Sequence, residues 1–196
     1  MRRLANILIA CAVAAITAGC ASSPSRFYTL SPTVVTTAPP LSSYTVSVGP
    51  VSLPEVVNRL PIVIRTGPNQ VSLSEFDRWA SPLKGEISRV VAENLILMLG
   101  TPQVTMFPQS LPADASYRVM IDVLRFDSEL GKAATIDAMW TVNSAKEEQT
   151  YRRRTTLTEP TQGDDYPALV AAHSRALGQL SAEIARMIRE IEGQKH

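Results

Sequence analysis

Ser81-Pro82-Leu83-Lys84-Gly85-Glu86-Ile87-Ser88-Arg89-Val90-Val91-Ala92-Glu93-Asn94-Leu95-Ile96-Leu97-Met98-Leu99-Gly100 is the stretch from which the fold can be read. Leu83, Ile87, Val90, Val91, Asn94, Leu95, Met98 and Leu99 recur at three and four residues, which places them on one side of an α-helix. Glu86, Arg89 and Glu93 are expected on the opposite side. Ser81 suits the cap, Pro82 the first helical position and Gly100 the end. A helix with one apolar face needs a surface to lie on, and the segments around it supply a sheet.

Downstream, Gln103 to Phe107 reads as a strand, followed by three longer ones at Ser116–Asp127, Ala133–Asn143 and Thr150–Thr158. In the first, Tyr117, Val119, Ile121 and Val123 alternate with Arg118, Met120, Asp122 and Leu124. Gly131-Lys132 and the stretch from Asn143 to Glu148 turn these three into an antiparallel meander, with Met120, Leu124 and Met139 on its outer face. A second helix follows, from about Tyr166 to Glu192, with Leu169, Ala172, Ala176, Leu180, Ile184, Met187, Ile188 and Ile191 as its apolar stripe. Upstream, Tyr44 to Leu53 alternates as a strand stopped by Pro50 or Pro54, and Glu55 to Leu60 suits one helical turn. Pro61–Arg65 and Gln70–Leu73 form a hairpin about Gly67-Pro68-Asn69, and Arg26–Ser31 is a short strand ended by Pro32. The fold class is α+β: a mainly antiparallel sheet with two long amphipathic helices packed on one face.

The first twenty residues carry a different message. Met1-Arg2-Arg3 is cationic, Leu4 to Ile16 is apolar except for Asn6, and Thr17-Ala18-Gly19-Cys20 closes the run with small residues and a thiol. That is the layout of an export signal. The apolar run is shorter than the roughly 20 residues a spanning helix needs. Three segments follow: 1–19 as a removable signal peptide, 20–43 as an N-terminus with a short strand and a Pro/Thr/Ser-rich linker, and 44–196 as one globular domain. Residues 21–25, fully extended, reach at most about 17 Å.

Composition narrows the function classes. Hydrophobic content of 45% and charged content of 19% suit an ordinary globular core. Removal of the first 19 of 196 residues takes away Arg2 and Arg3 and moves the formal net charge from +1 to −1. No basic footprint for nucleic acid is present. Cys11 lies in the removed segment, so no intrachain disulfide is expected.

The residues that could carry chemistry are few. His173 lies in the second helix, where a partly buried structural role is expected, and His196 is the last residue. Asp164-Asp165 precedes that helix and suits its N-terminal dipole. Arg152-Arg153-Arg154 lies on a strand, with Arg152 and Arg154 on one face and Arg153 on the other. Cross-strand carboxylates such as Asp122 or Asp137 can balance them, or anionic headgroups can. No nucleophile–base arrangement, phosphate cradle or metal motif stands out, so no catalysis, cofactor or metal is expected.

The end of the leader resembles the lipobox of bacterial lipoproteins, in which Cys20 would take an S-diacylglycerol and, after cleavage, an N-palmitoyl group. Thr17 stands where leucine is commonest. An ordinary signal peptide cut near Ala18 or Ala21 is the other reading, and it leaves Cys20 as a free thiol. Several acyl chains hold a protein on a membrane stably. Ala21 in place of Asp after the cysteine implies the periplasmic face of the outer membrane.

Phe27-Tyr28-Thr29-Leu30, Val48-Gly49-Pro50-Val51-Ser52-Leu53-Pro54-Glu55, Asn58-Arg59-Leu60-Pro61-Ile62-Val63, Arg65, Asn69 and Arg78-Trp79-Ala80-Ser81-Pro82-Leu83 stand in one order after that lipobox. Together they resemble the auxiliary lipoproteins of ABC-type transport systems, and within them the paraquat-inducible protein C group. The resemblance implies a partner and no reaction. The expected partners are a periplasmic mammalian-cell-entry (MCE) domain protein and inner-membrane permease or ABC components, with self-association as a further expectation. The implied role is lipid transport between membranes and protection of the envelope. Asn58, Arg59, Arg65, Trp79 and Pro82 fall on the family pattern, either as structural residues or as partner contacts. A second hypothesis is a carrier that holds a hydrophobic ligand between sheet and helices.

Overall fold

The computed structural model describes residues 23–34, 44–107 and 115–193. The expected export signal, Cys20, much of the Pro-rich linker and His196 lie outside the described residues. Among the described residues, eight strands and two helices run in the order β1 (Arg26–Tyr28), β2 (Val46–Ser52), β3 (Pro61–Gly67), β4 (Gln70–Trp79), α1 (Leu83–Leu99), β5 (Val104–Met106), β6 (Tyr117–Glu129), β7 (Ala133–Ser144), β8 (Gln149–Pro160) and α2 (Tyr166–Gly193).

The strands form a five-stranded sheet in the order β5-β2-β6-β7-β8 and a three-stranded sheet in the order β1-β4-β3. The meander β6–β7–β8 is antiparallel, as the alternation and turns predict. The hairpin β3–β4 is antiparallel as well, so the expected α+β fold holds and the expectation of a mainly antiparallel sheet fits in part. β2 runs parallel to both β5 and β6, and β1 runs parallel to β4. The physical reason is connectivity: α1 crosses over between β2 and β5, and such a crossover delivers the next strand parallel. β2 also continues through Pro50 to Ser52, with a register shift between Val48 and Val51 and a cis Gly49–Pro50 bond.

Both helices lie on one face of the five-stranded sheet. α1 covers β2 and β5, while α2 covers β6, β7 and β8. Facing them, Val46, Val48, Val119, Ile121, Ile136, Ala138 and Val142 are at most 2% exposed. Each helix touches the sheet and its neighbour together, so each buries more than a single stripe. On α1 this draws in Glu86, Ser88 and Ala92 beside the expected apolar set. Glu86, expected on the solvent side, is 6% exposed. Asn94 reaches across to the Ser181 hydroxyl at 3.3 Å, and Arg189 of α2 donates to the Met98 carbonyl at 2.6 Å.

The ends of the helices follow their sequence in part. Gly100 closes α1 at φ 65°, where glycine is free of the Cβ penalty, and donates to Ile96 O. Asp165 caps α2 by accepting from the Ala168 N–H at 2.9 Å. At the start of α1, Pro82 takes the capping position and Ser81 gives no backbone cap. Its hydroxyl donates instead to Glu86 Oε1 at 2.6 Å.

The three-stranded sheet closes one end of this core. Trp79, 2% exposed, meets Phe126 and His173 edge-on at 6.2 and 6.4 Å. Arg65 on β3 donates to Asp127 on β6 at 2.8 Å and so links the two sheets.

Candidate functional site

The segment that emerges from the N-terminus is joined to three different elements within eight residues. β1 lies beside the end of β4, and Arg26 donates to both Asp77 oxygens at 2.7 and 2.9 Å. The Tyr28 hydroxyl donates to Asp77 Oδ1 at 2.8 Å, and the Ser74 hydroxyl donates to Oδ2 at 3.0 Å. Burial alone would raise the Asp77 pKa. The bonds from Arg26, Tyr28 and Ser74 outweigh it and hold the carboxyl below its usual range. Burial and the Asp77 carboxylate together push the Tyr28 phenol up to about 12.

Two residues beyond β1, Leu30 enters the core at 1% exposure. Its N–H donates to Glu86 Oε2 at 3.1 Å, and its carbonyl accepts from Arg89 Nη2 at 2.6 Å. Arg89 also bridges back to Glu86 at 2.8 Å, so a charged pair on α1 grips both polar groups of one backbone residue. Burial again opposes ionisation of Glu86. The Arg89 and Ser81 bonds prevail and lower its pKa. The next contacts are with α2, where the Ser31 N–H donates to Ser174 Oγ at 3.1 Å and the Thr33 hydroxyl donates to Ser174 O at 3.5 Å. A pull on this segment therefore passes into sheet and both helices together.

The residues expected from sequence fall in different places. Trp79 is packed in the core, and Pro82 accepts the Gly85 and Glu86 N–H groups at the head of α1. Arg59 is exposed and, among the described residues, bonds locally to Glu55 O at 3.4 Å. Asn58 is half-buried in the turn that accompanies Pro54. Arg65 bonds Asp127 and the carbonyls of Gly67 and Pro68. The structure does not bring these five residues into one site. Two open grooves flank Pro50 instead. One, of about 380 Å³, lies on the outer sheet face among Met120, Met139, Thr141 and Arg152. The other, of about 510 Å³, lies between Met106, Phe107 and the Lys84–Ser88 side of α1.

His173 is more deeply placed than its helix position predicts. It is fully buried, stacks on Phe126 with centroids 3.9 Å apart, and sets Nε2 at 2.7 Å from the Ser128 hydroxyl. A serine–histidine contact of that length suits a nucleophile and its base. Here Ser128 is 2% exposed, and His173 Nδ1 is buried with no hydrogen-bond partner among the described residues. No reacting group can approach it, and burial pushes the imidazole down to about 3. Among the described residues no group of three or more His, Cys, Asp or Glu side chains is placed to hold a metal ion. No helix among them is long and apolar enough to cross a membrane.

Glu86 and Asp77 were not expected at a site, and Leu30 entered only as part of the Phe27-Tyr28-Thr29-Leu30 motif. A signal existed for Glu86: it lies three residues after Leu83 and four before Val90, at the margin of the apolar stripe. Leu30 and Asp77 carried no such mark, because their partners lie about fifty residues away.

This geometry defines a sheet-and-helix body with its N-terminal segment fastened to β4, α1 and α2. The chain belongs to the family of the ABC-type transport auxiliary lipoprotein component, whose model matches residues 28–185. Two solved structures share the fold. A crystal structure of an uncharacterized protein superposes with a TM-score of 0.70 at 25% identity, over 85% of this chain and 99% of that one. Protein XCC0632 from Xanthomonas campestris, of the DUF330 family, gives a TM-score of 0.66 at 21% identity, over 87% of this chain and 100% of that one. No curated protein matches the chain.

Proposed function

We propose that this chain is an outer-membrane lipoprotein, held on the periplasmic face through Cys20, that serves as a non-catalytic subunit of an ABC/MCE-type intermembrane lipid transport system. Its work is to dock with a periplasmic MCE-domain protein, alone or with further copies of itself, and so to support envelope integrity. The observation that carries this is the Leu30 grip within a chain of the auxiliary lipoprotein family. A body loaded through its N-terminus needs that end fastened to its core, and Glu86, Arg89, Asp77 and Ser174 fasten it.

The carrier alternative has less support. Side chains such as Leu95, Ile121, Leu177 and Ile184 fill the layer between sheet and helices at 2% exposure or less. The experiment has two arms. Mass spectrometry of the mature N-terminus is expected to find a triacylated Cys20, and a bare thiol would overturn the placement. Capture from detergent-solubilised envelopes is expected to recover an MCE-domain protein with the wild type. Capture of phospholipid without any such protein would favour the carrier.

A further inference from the structure

β8 is the outermost strand of the larger sheet and twelve residues long, against three for β5 at the other edge. Every second residue of such a strand turns its N–H and C=O away from the sheet. Among the described residues, no backbone group pairs with that side of β8. At its middle stand Arg152, Arg153 and Arg154, opposite Thr141, Trp140 and Met139 of β7. Arg154 is satisfied by Asp137, at 3.0 and 2.7 Å. Arg152 and Arg153 are exposed and form no ion pair among the described residues; the Arg153 guanidinium bonds only the Arg152 carbonyl. Arg152 leans into the outer groove beside Met120 and Met139. Arg153 lines a polar groove of about 320 Å³ on the helix side, together with Glu183, Arg186 and Glu190.

We propose that β8 is a docking edge for an extended acidic segment of a protein partner, which adds to the sheet as a further strand. The inference does not depend on the membrane placement above. Main-chain bonds to the open edge would supply affinity, and side chains on alternating faces would supply choice. Consecutive arginines put positive charge on both faces, so the fitting partner carries consecutive carboxylates in place of an alternating pattern. A second copy of β8 does not fit. Antiparallel pairing centred on Arg153 would set arginine against arginine, and like charges directly opposite destabilise a pair. Charged residues also guard edges against aggregation, and that simpler role makes a different forecast.

The test uses the full-length chain in detergent and two synthetic nonapeptides, acetyl-Thr-Val-Thr-Glu-Glu-Glu-Thr-Val-Thr-amide and its Gln-Gln-Gln counterpart. Calorimetry is expected to show the glutamate peptide binding about tenfold more tightly, with slowed amide exchange in alternate residues of 149–160. Arg152→Thr with Arg153→Thr, which leaves the Arg154–Asp137 pair in place, is expected to abolish that preference at unchanged thermal stability. Equal affinity for the two peptides, or exchange protection outside β8, would overturn the proposal. So would a double variant that self-associates while still preferring the glutamate peptide, since the arginines would then be guards only. Loss of binding to phosphatidylglycerol vesicles by the double variant, with no peptide effect, would overturn it in favour of a membrane contact.

Discussion

The carboxylate of Glu86 accepts the backbone N–H of Leu30 at 3.1 Å, although 56 residues separate them. A charged side chain on α1 thus stands in for a neighbouring strand, satisfying the one residue among 23–34 that is buried like core.

Replacing Glu86 with alanine removes that acceptor and leaves the Leu30 N–H and the Arg89 guanidinium short of a partner. A loss of about 2–3 kcal/mol is expected, the usual cost of orphaning a buried polar group beside a charge. Urea denaturation measures it. Amide exchange of residues 26–33 is expected to accelerate before global unfolding, whereas uniform acceleration would show that the grip does not act locally.

His173 makes stability depend on pH in the mildly acid range. Folded, its imidazole stays neutral down to about pH 3, because burial outweighs the pull of Asp127. Unfolded, it takes a proton below about 6.5. Its contribution is therefore complete above that value and is lost as pH falls, by about 2 kcal/mol between pH 7 and pH 5. Asp77, Glu86 and Asp127, all held below their usual range, add losses only under more acid conditions. Denaturant midpoints at pH 7 and pH 5 test this. His173→Phe is expected to flatten the slope in that window even if it lowers stability throughout.

Arg65 and Asp127 join the smaller sheet to the larger. A double-mutant cycle with Arg65→Met and Asp127→Asn is expected to give a coupling of about 1 kcal/mol, because the arginine end remains open to solvent. Asp127→Asn alone is expected to cost more than Arg65→Met alone. It also strips Arg125 of its partner at 2.5 Å.

Gly178 sits where the N-terminal segment meets α2 at Thr33. A Cβ built there would overlap the Thr33 hydroxyl. Alanine in a helix interior ordinarily gains up to about 1 kcal/mol over glycine. Here Gly178→Ala is expected to yield little or none of it, while Gly178→Ala with Thr33→Ala recovers it. Thermal denaturation of the four variants separates the two terms. A single Gly178→Ala variant as stable as the double one would show that Thr33 rotates aside at no cost.

Local pattern determined much of this protein. The three- and four-residue spacing in 81–100 and 166–192 predicts α1 and α2, and alternation with turn residues predicts the hairpin β3–β4 and the meander. Those features need only the chain's own neighbours, since a helix or hairpin is closed by residues a few positions apart. Tertiary structure alone decided the parallel insertion of β2 between β5 and β6, the docking of β1 on β4, and the burial of Glu86 and His173. Each of these depends on a partner dozens of residues distant, Ser128 for His173 and Leu30 for Glu86. A polar residue beside an apolar stripe reads the same in sequence whether water or a backbone amide meets it. Only the packed core supplies the partner that makes burial tolerable.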